Sequence, residues 1–275
     1  VGPFGLQSII LFVVLGSSAG FFAGLLGIGG GIILVPLFLW SFPHAGFSPD
    51  LTVHAAFATS LAIILPTAVS STLGHRKRGN VEWHQVLYLA IGGGLGAIGG
   101  ATAAATVSGL WLKGLFGLMQ ILVALKLLIF HPHLPPERLD QPGKAGLVVV
   151  GLIGGAFSAF FGVGGGVVAV PLLVLALQLP IHLAVGNSSA LIVISSLFGA
   201  LSYTWHGWNI PDLPPFSSGY VNVLVAGLVA PFTILTARLG VKVAGRISHA
   251  KLVKIFAGLL ILVGIRMGIS VFLAP

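Results

Sequence analysis

Residues 27–38 read GIGGGIILVPLF and residues 162–173 read GVGGGVVAVPLL. A Gly-apolar-Gly-Gly-Gly cluster, four apolar residues and a Pro-Leu step thus occur twice, each time inside a hydrophobic run. Three consecutive glycines strip one short stretch of backbone of side chains, so a bare turn can form and another group can approach the peptide N–H atoms. The apolar segment that follows reads as a half-helix with Gly29, Gly30 and Gly31, or Gly164, Gly165 and Gly166, at its N-terminal end. Such an end carries unpaired N–H donors and partial positive charge, and suits an anion. Pro36 and Pro171 lack an N–H and are expected to loosen or break the two segments.

The surroundings are those of a membrane. The chain is 56% hydrophobic and only 7% charged, against roughly a quarter charged in soluble domains. Apolar runs at 4–27, 51–73, 86–107, 109–130, 145–178, 182–204, 219–237 and 252–274 mostly approach the ~20 residues of a bilayer span. The expected class is all-α, a polytopic transmembrane helical bundle, since barrel strands would be shorter and alternating. The formal charge of +8 comes from loop residues and reads as membrane topology, with the lipid bilayer as partner and no nucleic acid. Cysteine is absent, which removes disulfides and thiolate chemistry. Val1 is not followed by a basic n-region or cleavage site, so the first run is expected in the mature fold.

The chain is also internally repeated. A shift of 135 lays Gly27–Pro36 on Gly162–Pro171; 128 lays His54 on His182, Ser60 on Ser188 and Gly79 on Gly207; 140 lays Ser108 on Ser248 and Phe116 on Phe256. This defines an N-terminal repeat over 1–130, a cytoplasmic linker over 131–144 and a C-terminal repeat over 145–275, forming one integrated membrane domain. Charge sets their relation. Arg76, Lys77 and Arg78 follow the second run, whereas the counterpart loop has no Lys or Arg; the next loop reverses the bias, with Arg238, Lys242, Arg246 and Lys251 in the second half. Equivalent loops on opposite faces mean inverted repeats. Each half then needs a Gly-tipped broken-helix hairpin plus three full spans. Glycines four apart, at 16, 20, 24 and at 92, 96, 100, mark close helix packing.

Polar residues inside the runs are few. Thr59-Ser60 and Asn187-Ser188 are equivalent pairs ~10–15 Å deep by helix rise, level with the expected tips, and could hydrogen-bond an oxyanion without a fixed charge. Hydroxyls bonding their own helix are the alternative. His54 and His182 lie nearer the run ends and are candidates for gating or proton transfer. Asp50, Glu82, Glu137, Asp140 and Asp212 all fall in loops or at run ends, so no carboxylate sits mid-membrane to couple a cation. No hydrolase triad, HExxH or paired acids occur, and no catalytic residue, metal site or cofactor is expected.

The doubled GxGGGxxxxPL motif, the two small-polar pairs and the RKRGNVEW stretch at 76–83 resemble the sulfite exporter TauE/SafE family of bacterial and archaeal membrane proteins, over essentially the whole chain. That resemblance implies export of a small anionic substrate, sulfite or an organosulfonate such as sulfoacetate, across the cell membrane. The residues themselves point to an inverted-repeat secondary transporter working by alternating access around a midplane site. An anion channel, or a non-transporting scaffold or sensor subunit, would carry the same motifs. Oligomeric state leaves no signal in the sequence.

Overall fold

The computed structural model describes residues 6–26, 30–129, 142–244 and 249–272. Among the described residues ten helices follow one another: α1 (Leu6–Leu26), α2 (Gly31–His44), α3 (Pro49–Lys77), α4 (Trp83–Thr106), α5 (Gly109–Ile129), α6 (Lys144–Phe161), α7 (Gly166–Leu175), α8 (Ile181–Gly207), α9 (Val223–Ala244) and α10 (His249–Phe272). Six of them are long and apolar enough to cross a membrane. The chain is a polytopic helical membrane protein. Leu95, Leu118, Leu122, Leu235 and Leu262 are among many large apolar side chains left exposed on the outer faces, far more than water tolerates as a contiguous surface.

The two apolar runs that carry the glycine clusters are each split. α6 has 18 residues and α7 only 10, so α7 rises ~15 Å and reaches about halfway across a bilayer. α6 stops because Gly162 adopts a left-handed conformation, φ +67°, a C-terminal signal that glycine supplies without steric cost. Pro36 and Pro171 lie inside α2 and α7, which continue through them. The discontinuities fall at the glycines instead.

α3 and α8 contact each other and form the centre, with α2 packed on α3 and α7 on α8. Around them α4 lies along α6, α1 along α9 and α5 along α10. These outer pairs touch backbone to backbone: Gly92, Gly96 and Gly100 of α4 face the carbonyls of Val148, Leu152 and Ala156 on α6, while Gly16 and Gly20 of α1 face Val229 and Thr233 on α9. The glycine spacing noted in the sequence is spent on this approach.

Helix ends follow local chemistry. α3 starts with Ser48 before it, Pro49 at its first position and Asp50 in its first turn, and closes on His75, Arg76 and Lys77, charges that complement the helix dipole at both ends. The apolar run expected over 219–237 is corrected at its start. Residues 217–222 form a two-stranded antiparallel hairpin, Ser217 opposite Asn222 and Ser218 opposite Val221, and α9 begins only at Val223. Of the linker over 131–144, only its last three residues fall within the described residues.

Candidate functional site

The two glycine tips meet. A Cβ placed on Gly31, the first residue of α2, would lie 2.5 Å from the Cα of Val163 in the α6–α7 turn and 2.6 Å from Ile64 Cδ1. Only a residue without a side chain permits this approach. The α6–α7 tip is held by three left-handed glycines, Gly162, Gly164 and Gly165 at φ +67°, +80° and +49°. The Gly165 carbonyl accepts the N–H groups of Val168 and Ala169 at 3.0 and 2.8 Å. The N–H groups of Gly164, Gly165 and Val167 have no protein acceptor among the described residues. At the other tip Gly30 is right-handed, φ −69°, and accepts from Ile33 and Leu34 at 3.1 and 2.9 Å. Gly29 lies outside the described residues.

The small-polar pairs flank these tips, and their members divide the work. The Ser60 hydroxyl donates to the Gly162 carbonyl. The Ser188 hydroxyl lies 3.6 Å from the place a Cβ on Gly166 would take; it is 1% exposed and has no hydrogen-bond partner. Ser195 on α8 reaches Ser158 on α6 at 3.2 Å, and the buried Ser196 hydroxyl is unpaired. Ile64 and Ile192 close the space beside Gly164 and Gly166. Among the described residues, Gly31, Val163, Ile64 and Ile192 thus crowd the tip. A recess of about 570 Å³ lies elsewhere, along Ser217, Ser218, Val223, Leu224 and Leu228.

Thr59 and Asn187 are engaged with loops. Thr59 Oγ1 accepts the N–H of Asn222 at 3.0 Å. Asn187 Oδ1 accepts the N–H of Glu82 at 2.9 Å, and its Nδ2 donates to Gln85 Oε1 at 2.8 Å. The two donors end matching turns, Gly79-Asn80-Val81-Glu82 and Gly219-Tyr220-Val221-Asn222, whose glycines have φ +72° and +55°. The first turn is bound by α8 and the second by α3. By conformation the counterpart of Gly79 is Gly219; Gly207, paired with it by sequence offset, packs beneath the Gly219–Tyr220 peptide instead. The GxV signal was present in the sequence but displaced by the longer α8–α9 connection.

The histidines diverge. His54 is buried, its Nε2 3.2 and 3.1 Å from the carbonyls of Ala104 and Val107, and its ring stacks on Tyr220 with centroids 5.0 Å apart. Burial raises the Tyr220 phenol above its ordinary pKa, so the turn offers the ring a neutral partner. His182 is exposed. Gln120, Gln85 and Asn222 were not singled out by the sequence. Pro36 denies the Ile32 carbonyl its helical donor, and Gln120 Nε2 supplies one from α5 at 3.1 Å. Asn222 Oδ1 caps α9 through the Val225 N–H at 3.0 Å, and its Nδ2 reaches Pro215 O and Ser217 Oγ at 3.1 Å.

Comparison with known proteins agrees with this architecture. The family model described as Sulfite exporter TauE/SafE matches residues 12–267. A probable membrane transporter protein of Bacillus subtilis, YunE, is 29% identical over 94% of this chain and 96% of its own length. One from Haemophilus influenzae is 30% identical over 94% and 97%. An archaeal counterpart, from Methanocaldococcus jannaschii, is 28% identical over 94% of both. No solved structure matches.

Proposed function

Because the chain belongs to the sulfite exporter TauE/SafE family of membrane transporters, we propose that it exports a small sulfur oxyanion, sulfite or an organosulfonate such as sulfoacetate, by alternating access. Its place is the plasma membrane of a bacterial or archaeal cell. The anion binds between the tips, on the N–H groups of Gly164, Gly165 and Val167 and the Ser188 hydroxyl, with Gly30, Gly31 and Ser60 opposite and Thr59 and Asn187 at the rims. One observation carries this reading: a fully buried hydroxyl with no partner beside a half-helix N-terminus at which the N–H groups of Gly164, Gly165 and Val167 also have no acceptor among the described residues. Buried polar groups are nearly always paired, and an oxyanion would accept from both this hydroxyl and the N–H groups beside it.

The halves are read as inverted repeats. Their contacts exchange in order: α4–α6 is mirrored by α9–α1, α2–α3 by α7–α8 and α4–α8 by α9–α3. Arg76, Lys77 and Arg78 are exposed at the end of α3, and Arg238 and Lys242 at the end of α9, a bias that supports reading both ends as cytoplasmic. An anion leaving a negative interior gains about 2.3 kcal/mol per charge per 100 mV, so export needs no buried carboxylate for coupling. His54, stacked beneath the outer turn, fits a gating role.

The test is thermal stability of the purified protein with sulfite, sulfoacetate, taurine, sulfate and carboxylate analogues. A bound ligand at a hundred times its Kd stabilises by about 2.7 kcal/mol. Sulfite or a sulfonate is expected to raise the melting temperature, and Ser188→Ala, binding about tenfold more weakly, to give roughly half that rise. If no anion shifts it, the site is wrong. Saturable flux in proteoliposomes is expected, whereas unitary currents would mark a channel.

A further inference from the structure

With the tips closed on each other, an anion can enter or leave only if something packed over them moves. We propose that the Gly79–Glu82 and Gly219–Asn222 turns are the two gates of the path, latched respectively by Asn187 and Thr59. The proposal rests on the alternating-access reading; its latch atoms, on Thr59 and Asn187 at the rims of the site, are not the N–H and Ser188 donors that hold the anion.

The two gates are built alike. In each, a left-handed glycine turns the chain so that the N–H three residues later meets a polar side chain on the opposite half's central helix, at 2.9 Å for Glu82 and 3.0 Å for Asn222. Both acceptors are fully buried. The inner turn is seated further by the Asn80 carbonyl against Gly186 and by the Asn187–Gln85 bond. The outer turn is seated by Tyr220, which stacks on His54 and meets Tyr203 edge-on with centroids 6.2 Å apart.

Two consequences follow from the crossing of halves. First, the cytoplasmic latch joins α8 to the start of α4, and the outer latch joins α3 to the start of α9. Rocking that separates α8 from the inner turn leaves the α3 contact closed, so one gate opens at a time. Second, each latch residue precedes the serine that faces the tips: Thr59 before Ser60, Asn187 before Ser188. Occupying the cradle moves the latch on the same helical turn. A net hydrogen bond of ordinary strength shifts an equilibrium only several-fold, which suits a gate that must cycle.

The chain has no cysteine, so one reporter can be placed without background. Ile192→Cys, beside Gly164 and Gly166, is probed with a membrane-impermeant maleimide in right-side-out and inside-out vesicles, with no anion added. Thr59→Val is expected to raise labelling from the outer face roughly fivefold, the loss of about one net hydrogen bond, and leave the inner face unchanged. Asn187→Leu does the same from the inner face only. Thr59→Asn and Asn187→Thr, which exchange the acceptors of the two halves, keep labelling near the parent level. Should Asn187→Leu fail to assemble, Glu82→Pro removes the donor N–H from the turn and is expected to open the same face. Labelling that rises on the same face in both variants, or in neither, overturns the proposal. Sided labelling with no thermal shift from any anion would keep the gates and discard the cradle; the reverse would keep the cradle and discard the gates.

Discussion

Ser60 and Ser188 stand at equivalent places in the two halves, each just after a residue that holds a turn, yet their hydroxyls meet different fates. Ser60 is bonded to the Gly162 carbonyl; Ser188 is bonded to nothing. A contrast also holds at one described glycine pair of the tips: Gly165 is left-handed, φ +49°, whereas Gly30 starts α2 in ordinary helical geometry, φ −69°. The repeated motif is therefore flanked on one side by a serine consumed in holding the tip, and on the other by a serine whose hydroxyl is unpaired.

The largest effect that would break this comparison comes from the tip glycines. Gly162→Ala combines a left-handed φ with a Cβ 2.6 Å from Phe57 Cα, and is expected to cost roughly 2–5 kcal/mol, read as a fall in melting temperature in detergent. Next comes the serine pair itself. Ser60→Ala should lower stability by about 1–3 kcal/mol, because it leaves a buried carbonyl without its donor. Ser188→Ala should leave stability unchanged or higher while weakening anion binding about tenfold, measured by ligand titration of the melting shift. Equal losses in both variants would erase the asymmetry. Gln120→Leu strips the donor from Ile32 and is expected to destabilise by about 1–2 kcal/mol, with hydrogen exchange accelerated in α2 and not in α7. The smallest effect is at Thr72, whose hydroxyl reaches Ser189 at 3.2 Å and its own helix at Ala68; Thr72→Val should cost under about 1 kcal/mol.

Much of the fold was legible because its causes are local. Hydropathy marks the spans, the glycine clusters mark where two runs split, and glycines four apart mark α4 and α1 as close-packing helices. What escaped depends on partners distant in the chain. Nothing in the residues near Gln120 says that a proline 84 positions earlier leaves a carbonyl for it to fill. Thr59 and Asn187 were visible as buried polar residues, but a polar side chain at a given depth reads the same whether it awaits an anion or holds a peptide N–H. The GYVN turn was hidden for another reason. The α8–α9 connection is longer than its counterpart, so a single offset aligned Gly79 with the wrong glycine, and part of an apolar run was expected to be helix where a hairpin forms. Prolines 36 and 171 mislead similarly: residue type announces a lost hydrogen bond, while tertiary contacts decide whether the helix survives the loss.

The exchange of outer helices between halves bears on how the protein is made. α1 finds its backbone-to-backbone neighbour in α9, some two hundred residues later, and α4 finds its own only when α6 has left the ribosome. Throughout synthesis, therefore, the earliest segment must wait in lipid with its bare glycine face uncovered. The nascent first half is not a finished unit that the second half joins; the last third of the polypeptide completes the first.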